Sequence, residues 1–192
     1  DKYRDTPEFR NVEHVSYVDA DMQLVDTLRK GKTNCVVELM HAIDRLKDYR
    51  NMSDSLVRLN LMYVIHIVGD MHCPSHVKYP GCKSGRADLN GKKMSYHAMW
   101  DWGVLDGAHG WSYSEYRLLL DTFSKREKAG MAKGTPREWL YETAVACRVI
   151  YDWQRADGTY GKQFVTDTYL LPERQLILAS YRLAAVLNDL FG

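Results

Sequence analysis

The spacing of apolar positions in the first half of this chain predicts two helices. Apolar side chains recur every three or four positions from Cys35 to Leu46, and Asn34 stands before them as a helix cap. A second apolar run follows Ser53 and has more than one apolar face, which indicates a helix at the centre of the domain. The Cys-Pro pair at 73–74 should end this helix, because the residue before a proline avoids the helical region.

The second half of the chain continues this pattern and favours an all-α fold. It predicts further helices over 95–101, 112–123, 135–153 and 172–190. The helix that begins at Thr135 has a proline at its first position and a glutamate that completes a capping box. Residues 77–93 predict a loop and residues 1–34 predict irregular structure. No segment alternates long enough to indicate a strand.

Composition and charge narrow the class of protein. The 192 residues, 45% of them hydrophobic and 27% charged, suit one globular domain. No stretch approaches the ~20 apolar residues of a membrane helix, so we expect no membrane span. The net charge of +1 argues against a protein that binds duplex DNA mainly by neutralising phosphates. It leaves open an enzyme whose positive charge comes from a bound metal.

The spacing of the cysteines is compatible both with disulfides and with free thiols. None of the four cysteines lies in a C-x-x-C pair, so the spacing does not favour a thiolate zinc site. Cys73 and Cys82 flank a short loop, and Cys35 and Cys147 lie on separate helices. Either pair could form a disulfide, as expected in an exported protein, or stay reduced.

Histidines and aspartates form the strongest chemical signal. Five of the seven histidines fall between residues 66 and 109. His66 and Asp70 are four positions apart and share a helix face, and His97 and Asp101 repeat that spacing. His76 lies just beyond the proline break. Imidazole nitrogens and carboxylate oxygens are suitable zinc ligands, and the two oxygens of Asp70 could bridge two metals.

A structural interpretation of these residues has to be weighed as well. One His–Asp pair at this spacing is often only a hydrogen bond within a helix. Two such pairs with His76 between them are harder to explain structurally, so we favour a metal site. His41, His72 and His109 lack such a partner in the pattern, and we interpret them as structural or solvated.

Two segments then resemble a known family. Residues 66–76 read HIVGDMHCPSH and residues 97–101 read HAMWD. They resemble the signature of the S1/P1 nucleases, H-x-x-G-D-x-H-x-P-x-H followed by H-x-x-W-D. Residues 1–4, DKYR, are similar to the family's earlier D-x-x-R, and residues 179–188 resemble its closing helix. The resemblance implies one helical domain over 1–192, of the phospholipase C/P1 nuclease type.

The resemblance also implies a zinc cluster and its ligands. The family binds up to three zinc ions. The residues that match its ligands are Asp1, His66, Asp70, His76, His97 and Asp101. Asp1 would also orient or deprotonate the attacking water, and Arg4 would contact the substrate phosphate. The family's chain begins earlier, with a tryptophan that binds the third zinc, so we expect that segment to be missing here and the third site to be incomplete.

The segment 14–19, HVSYVD, departs from the family pattern H-F/Y-x-D. Strict register places Ser16 at the metal-binding histidine, with Tyr17 and Asp19 at the base-binding positions. His14 would share the face of Ser16 in an extended segment, so we favour His14 as the ligand. Tyr17 could stack on an unpaired base or simply pack in the fold.

The function implied is a zinc-dependent phosphodiesterase. It would hydrolyse single-stranded nucleic acid and 3′-nucleotides with metal-activated water. The family also implies a secreted or periplasmic protein, although nothing at the start of the chain resembles a signal peptide. Two alternatives remain: a lipid hydrolase like zinc-dependent phospholipase C, and a degenerate member that binds but does not catalyse.

Overall fold

A computed structural model describes residues 12–26, 28 and 32–192 of the chain. Its helices are α1 (Cys35–Leu46), α2 (Asp54–His72), α3 (Tyr96–Ala98), α4 (Val104–Ala108), α5 (Tyr113–Leu120), α6 (Lys125–Met131), α7 (Pro136–Cys147), α8 (Lys162–Thr168) and α9 (Leu170–Phe191). Its strands are β1 (Ser16–Tyr17), β2 (Val77–Lys78), β3 (Arg86–Leu89), β4 (Lys92–Ser95) and β5 (Thr159–Tyr160). The expected all-α class is confirmed. Within these ranges, no helix combines the length and apolarity that crossing a membrane requires.

The ends of α1 and α2 follow from local sequence. Asn34 is extended, and its side chain accepts a hydrogen bond from the Val36 amide, which caps α1. Ser53 precedes α2 without capping it, because its hydroxyl pairs with Ser55 instead. Cys73 leaves the helical region with φ −71° and ψ 127°, as expected before proline.

The later helices include two that the apolar pattern did not predict, α6 and α8. The helices α5, α6 and α7 all begin with capping boxes, at Ser112, Ser124 and Thr135. The capping box at Ser124 can be recognised in the sequence. However, α6 is only 7 residues long and buries no residue, so it gives no apolar pattern. The helix predicted over 135–153 ends at Cys147 and continues as a 3₁₀ turn.

A small sheet occupies part of the segment predicted to be a loop. The strands β3 and β4 pair antiparallel, and β5 adds parallel to β3. Asn90 and Gly91 join the hairpin with φ of 53° and 85°, which matches the expected turn. Each of these strands has 4 residues or fewer, too short for alternation to reveal them.

A π-helical segment replaces the end of the helix predicted over 95–101. Residues Met99–Gly103 form this segment between α3 and α4, and it carries Asp101. π turns inside helices occur often at functional sites.

The buried side chains form two clusters. One gathers residues of α1, α2 and α7, including Leu39, Ile67 and Leu140. The other surrounds Trp100 and includes Leu89 from β3 and Val165 from α8. Because α2 belongs to the first cluster and the π segment to the second, their polar side chains meet where the clusters adjoin.

All four cysteines are free thiols, which is one of the two states that the sequence left open. The sulfur of Cys35 lies 3.3 Å from the Ser16 hydroxyl, in the first cluster. The sulfur of Cys73 faces Ser75 and Asp101 instead of Cys82. The cysteines that the sequence suggested as possible partners therefore face different neighbours in the structure.

Candidate metal centre

The C-terminal half of α2 presents the first group of potential metal ligands. His66 Nε2 lies 3.1 Å from Asp70 Oδ2, as their spacing on one helix face predicts. His14 Nδ1 lies 3.4 Å from His66 Nε2, and the two rings meet edge to face. One donor atom from each of these three residues lies within 4.8 Å of the others. We call His14, His66 and Asp70 the first donor group.

The pairing of two short strands decides which residue of the segment 14–19 reaches this group. β1 pairs parallel to β2, with Ser16 opposite Val77. Ser16 is fully buried, and its hydroxyl faces Cys35. His14, before the strand, faces His66 instead. The structure thus places His14 in the first donor group, and its role as a ligand remains a prediction.

The second donor group consists of Cys73, His76 and Asp101. Pro74 starts a 3₁₀ turn, Pro74–His76, that directs His76 back towards α2. His76 Nε2 lies 3.5 Å from Asp101 Oδ1, and Cys73 Sγ lies 3.5 Å from the same oxygen. Sequence reasoning missed Cys73 as a donor, because it looked for thiolates in C-x-x-C pairs.

His97 lies beside the second donor group without joining it. Its ring stacks on that of His76, with centroids 4.7 Å apart and an angle of 30° between the planes. Neither group of convergent donors found in the described residues includes His97. Its predicted role as a ligand is not tested by this arrangement.

Asp70 connects the two donor groups. Its Oδ2 atom lies 3.1 Å from His66 Nε2 and 3.2 Å from His76 Nδ1. Despite that proximity, Asp70 Oδ2 and both ring nitrogens of His76 are buried without a well-aligned hydrogen bond. Leaving a buried polar group unpaired costs about 1–3 kcal/mol. A cation at Asp70 Oδ2, a second cation at His76 Nε2 and a hydrogen bond from His76 Nδ1–H to Asp70 would satisfy all three atoms, so the residues present fit metal ions.

The separations of the donor atoms also suit zinc. Tetrahedral zinc with bonds of ~2.0–2.3 Å holds neighbouring ligand atoms about 3.3–3.7 Å apart. Two contacts in each group, His66–Asp70, His14–His66, His76–Asp101 and Cys73–Asp101, measure 3.1 to 3.5 Å, and all donor atoms of a group lie within 4.8 Å of one another.

Charge is balanced within the centre. Burial disfavours a charged imidazole, yet Asp101 and Asp70 beside the ring raise the pKa of His76 to about 9. Burial opposes ionisation of Asp70 as well, but His66 and His76 hold the pKa of its carboxyl below the ordinary value. Burial raises the pKa of the Cys73 thiol to about 12. Without a metal, a protonated His76 therefore neutralises the carboxylates, and a bound cation would take over that role.

A buried network supports the last turn of α2. His72 is buried, its Nδ1–H donates to the Val68 carbonyl at 2.7 Å, and its Nε2 accepts from Arg182 Nη1 at 2.9 Å. Burial lowers the pKa of His72 to about 4, so the ring is neutral and can accept this bond. Arg182 also binds Glu142 of α7 and the Met131 carbonyl. His72 is therefore structural, in agreement with its interpretation from the sequence.

The remaining predicted site residues lie apart from the donor groups or outside the described residues. Tyr17 is half-buried beside Lys78, at a cavity of ≈ 380 Å³. Asp19 is exposed, and its Oδ1 accepts the backbone amides of Asp21 and Gln23, both at 2.9 Å. Asp1 and Arg4, which were assigned to catalysis and phosphate contact, lie outside the described residues.

His109 proves to be structural, as interpreted. Its Nε2 lies 2.7 Å from Glu173 Oε2 of α9, and its ring stacks on Trp111. This pair joins the segment after α4 to α9.

The fold and the two donor groups together define the class of this protein: a helical protein with a candidate centre for two metal ions. The sequence profile of the S1/P1 Nuclease family matches residues 1–192. The chain belongs to the S1/P1 nuclease family, a family of metal-dependent enzymes that hydrolyse phosphodiester bonds, and the resemblance noted in its sequence is confirmed.

Individual relatives are plant endonucleases. The chain is 27% identical to Endonuclease 2 of Arabidopsis thaliana, in a match that covers 84% of this chain and 63% of the relative. It is 25% identical to Endonuclease 4 of the same plant, over 99% of this chain and 69% of the relative. The chain thus spans about two thirds of the length of these relatives.

Proposed function

We propose that this chain hydrolyses phosphodiester bonds in single-stranded nucleic acid and in 3′-nucleotides, with water activated by zinc. The observation that carries the proposal is the meeting of two donor groups at one carboxylate, Asp70. The membership of the chain in the S1/P1 nuclease family supports the reaction class.

The described residues would hold metal on both sides of Asp70. His14, His66 and Asp70, together with Asp1, would hold one ion. His76 and Asp101, together with His97, would hold another. Bound zinc supplies a hydroxide near neutral pH and neutralises charge that develops on phosphate. Asp70, which lies beside both His66 and His76, would hold the two sets of ligands next to each other.

The protein's own side chains would complete the chemistry. Asp1 would orient the attacking water or accept its proton. Arg4 would donate two parallel hydrogen bonds to the phosphate oxygens. Tyr17 offers an aromatic face, and Lys78 beside it offers a positive charge, at the same cavity. An unpaired base could stack there, because stacking requires a face and not a particular base.

The weak net charge agrees with this mode of binding. A chain of net charge +1 attracts phosphate poorly by its surface as a whole. The affinity for substrate would therefore come from the metal centre and nearby stacking, which favours flexible single strands over a rigid duplex.

The experiment compares Asp70→Asn with the unchanged chain in hydrolysis of RNA and of a 3′-nucleotide. Asp44→Asn is the matched control, because Asp44 is exposed on α1 and pairs only with Lys47. Removing even an outer partner of a metal ligand costs 10–100-fold, so we expect Asp70→Asn to lose at least about 100-fold. Circular dichroism would verify that both variants fold.

Three results would overturn parts of the proposal. Full activity of Asp70→Asn would remove the shared carboxylate from the mechanism. Release of headgroups from phospholipid micelles, with no cleavage of RNA, would indicate a lipid hydrolase. Zinc binding without turnover of any of these substrates would indicate a non-catalytic member of the family.

A further inference from the structure

Cys73 is the one member of the donor groups at a variable position of the family signature. It occupies the position between His72 and Pro74, which the signature leaves open. Its sulfur lies 3.5 Å from Asp101 Oδ1, and donor atoms of Cys73, His76 and Asp101 lie within 4.8 Å of one another.

We propose that Cys73 binds, as a thiolate, the metal ion held by His76 and Asp101. The proposal rests on the metal-dependent function proposed above. Sulfur and nitrogen lie at equal distances of 3.5 Å from the Asp101 oxygen. A separation of about 3.5 Å is that of neighbouring ligands on tetrahedral zinc, so one ion can contact all three residues.

His76 provides an independent indication of a ligand. Its relative exposure is 6%, and neither ring nitrogen makes a well-aligned hydrogen bond, although carboxylates lie 3.2 and 3.5 Å away. Buried imidazole nitrogens are nearly always paired, and the nearest polar groups to this ring are Asp70 and Asp101. An ion between Cys73, His76 and Asp101 would pair Nε2, and Nδ1–H could then donate to the Asp70 carboxylate, as metal-bound histidines usually do with their other ring nitrogen.

Two local features orient the sulfur for coordination to a bound cation. Pro74 holds Cys73 in an extended conformation at the end of α2, which turns its side chain towards the π segment. The Ser75 hydroxyl lies 3.3 Å from the sulfur and can donate a hydrogen bond to it. A cysteine that coordinates a metal is deprotonated outright, so its high pKa in the metal-free chain does not prevent binding.

The other three cysteines lack this setting. Cys35 faces Ser16 in the first buried cluster, and Cys147 is buried at the end of α7. Cys82 is half-buried in the loop after β2 and packs against the first buried cluster. Only Cys73 belongs to a group of converging donors in the described ranges.

A thiolate in this position changes which metals the centre accepts. Sulfur, nitrogen and oxygen together suit zinc and cobalt, whereas Mg²⁺ and Ca²⁺ prefer oxygen ligands only. We therefore expect Mg²⁺ not to replace zinc at the second donor group.

The experiment loads the purified full chain with Co²⁺ and records its absorption spectrum together with bound cobalt. A thiolate-to-cobalt charge-transfer band in the near ultraviolet is expected in the unchanged chain. Cys73→Ser should lose the band, while Cys82→Ser, which removes a thiol from the loop, should keep it. Circular dichroism shows whether each variant folds.

A second measurement uses zinc itself and the unchanged chain. X-ray absorption at the zinc edge should detect a sulfur neighbour at about 2.3 Å. Bound cobalt or zinc without a sulfur signal, or a band that persists in Cys73→Ser, would overturn the role of Cys73 and leave the proposed hydrolase intact. Failure of the chain to bind either metal would contradict both.

Discussion

Replacing Arg182 by methionine should destabilise the protein strongly, although Arg182 is remote from the predicted ligands in sequence. Arg182 is 2% exposed and joins three helical elements. It donates to His72 on α2 at 2.9 Å, to Glu142 on α7, and to the Met131 carbonyl at the end of α6 at 3.2 Å. Its guanidinium also lies 5.4 Å from the centre of the Trp139 ring.

The size of the effect follows from the partners that remain. Methionine keeps the packing of the arginine stem, so the loss is mainly polar. His72 Nε2 would stay buried without a donor, and each such group costs about 1–3 kcal/mol. Breaking a buried charged network by removing one partner costs about 3–5 kcal/mol in other proteins. Glu142 is 57% exposed and can be solvated, so we expect the lower end, about 3 kcal/mol.

The assay is urea unfolding followed by circular dichroism, with chelator present so that bound metal does not contribute to stability. For a protein of this size, about 3 kcal/mol corresponds to a melting temperature lower by about 6–12 °C. Arg174→Met is the control, because Arg174 is exposed on the same helix, and it should change stability by less than about 0.5 kcal/mol. A cost below about 1 kcal/mol for Arg182→Met, or equal costs for both variants, would refute the reasoning.

Three further predictions concern other parts of the molecule. Glu173→Gln replaces the carboxylate beside His109 with an amide, so we expect a loss of about 1 kcal/mol in urea unfolding, and unchanged stability would contradict a stabilising role for this pair. Gly91→Ala places an alanine at φ 85°, where its added methyl group meets no other atom, so the cost is one of backbone conformation alone. We expect thermal unfolding to show a loss of about 1–2 kcal/mol. An unchanged melting temperature would contradict the described turn. Zinc at about 100 times its dissociation constant should stabilise the chain by about 2.7 kcal/mol, an effect that chelator removes. Chelator should not change the stability of Asp70→Asn. An equal loss of stability in Asp70→Asn and in the unchanged chain would show that the metal binds elsewhere.

The ends of helices, and contacts between two residues of the same helix, were predictable from the sequence because they depend on residues close together in the chain. Asn34 caps α1, and Pro74 ends α2, within a few residues of where the sequence signals them. The spacing of His66 and Asp70 likewise translates directly into a contact on one helix face.

The rest of the site depends on contacts between segments far apart in sequence. His14 reaches His66 only because β1 pairs with β2, about 60 residues later in the chain. The local pattern favoured His14 over Ser16, and the pairing of the two strands is what directs Ser16 to Cys35 and leaves His14 beside His66. Cys73 meets Asp101 across 28 residues, between the two buried clusters.

His97 and Asp101 show how an assumed helix type limits prediction. A spacing of four places two residues on one face of an α-helix, as expected for this pair. The chain instead enters a π segment at Met99, where each turn takes more residues, so the alignment changes. His97 stacks on the His76 ring, whereas Asp101 lies 3.5 Å from both His76 Nε2 and Cys73 Sγ, so the two residues contact His76 in different ways.

The most direct test of the account is zinc content by mass spectrometry on the purified chain, measured together with hydrolysis of RNA and a 3′-nucleotide in the presence and absence of chelator. The account predicts at least one zinc for each donor group, and hydrolysis that chelator abolishes and added zinc restores. A chain that binds no zinc, or that hydrolyses these substrates equally well in chelator, would contradict it.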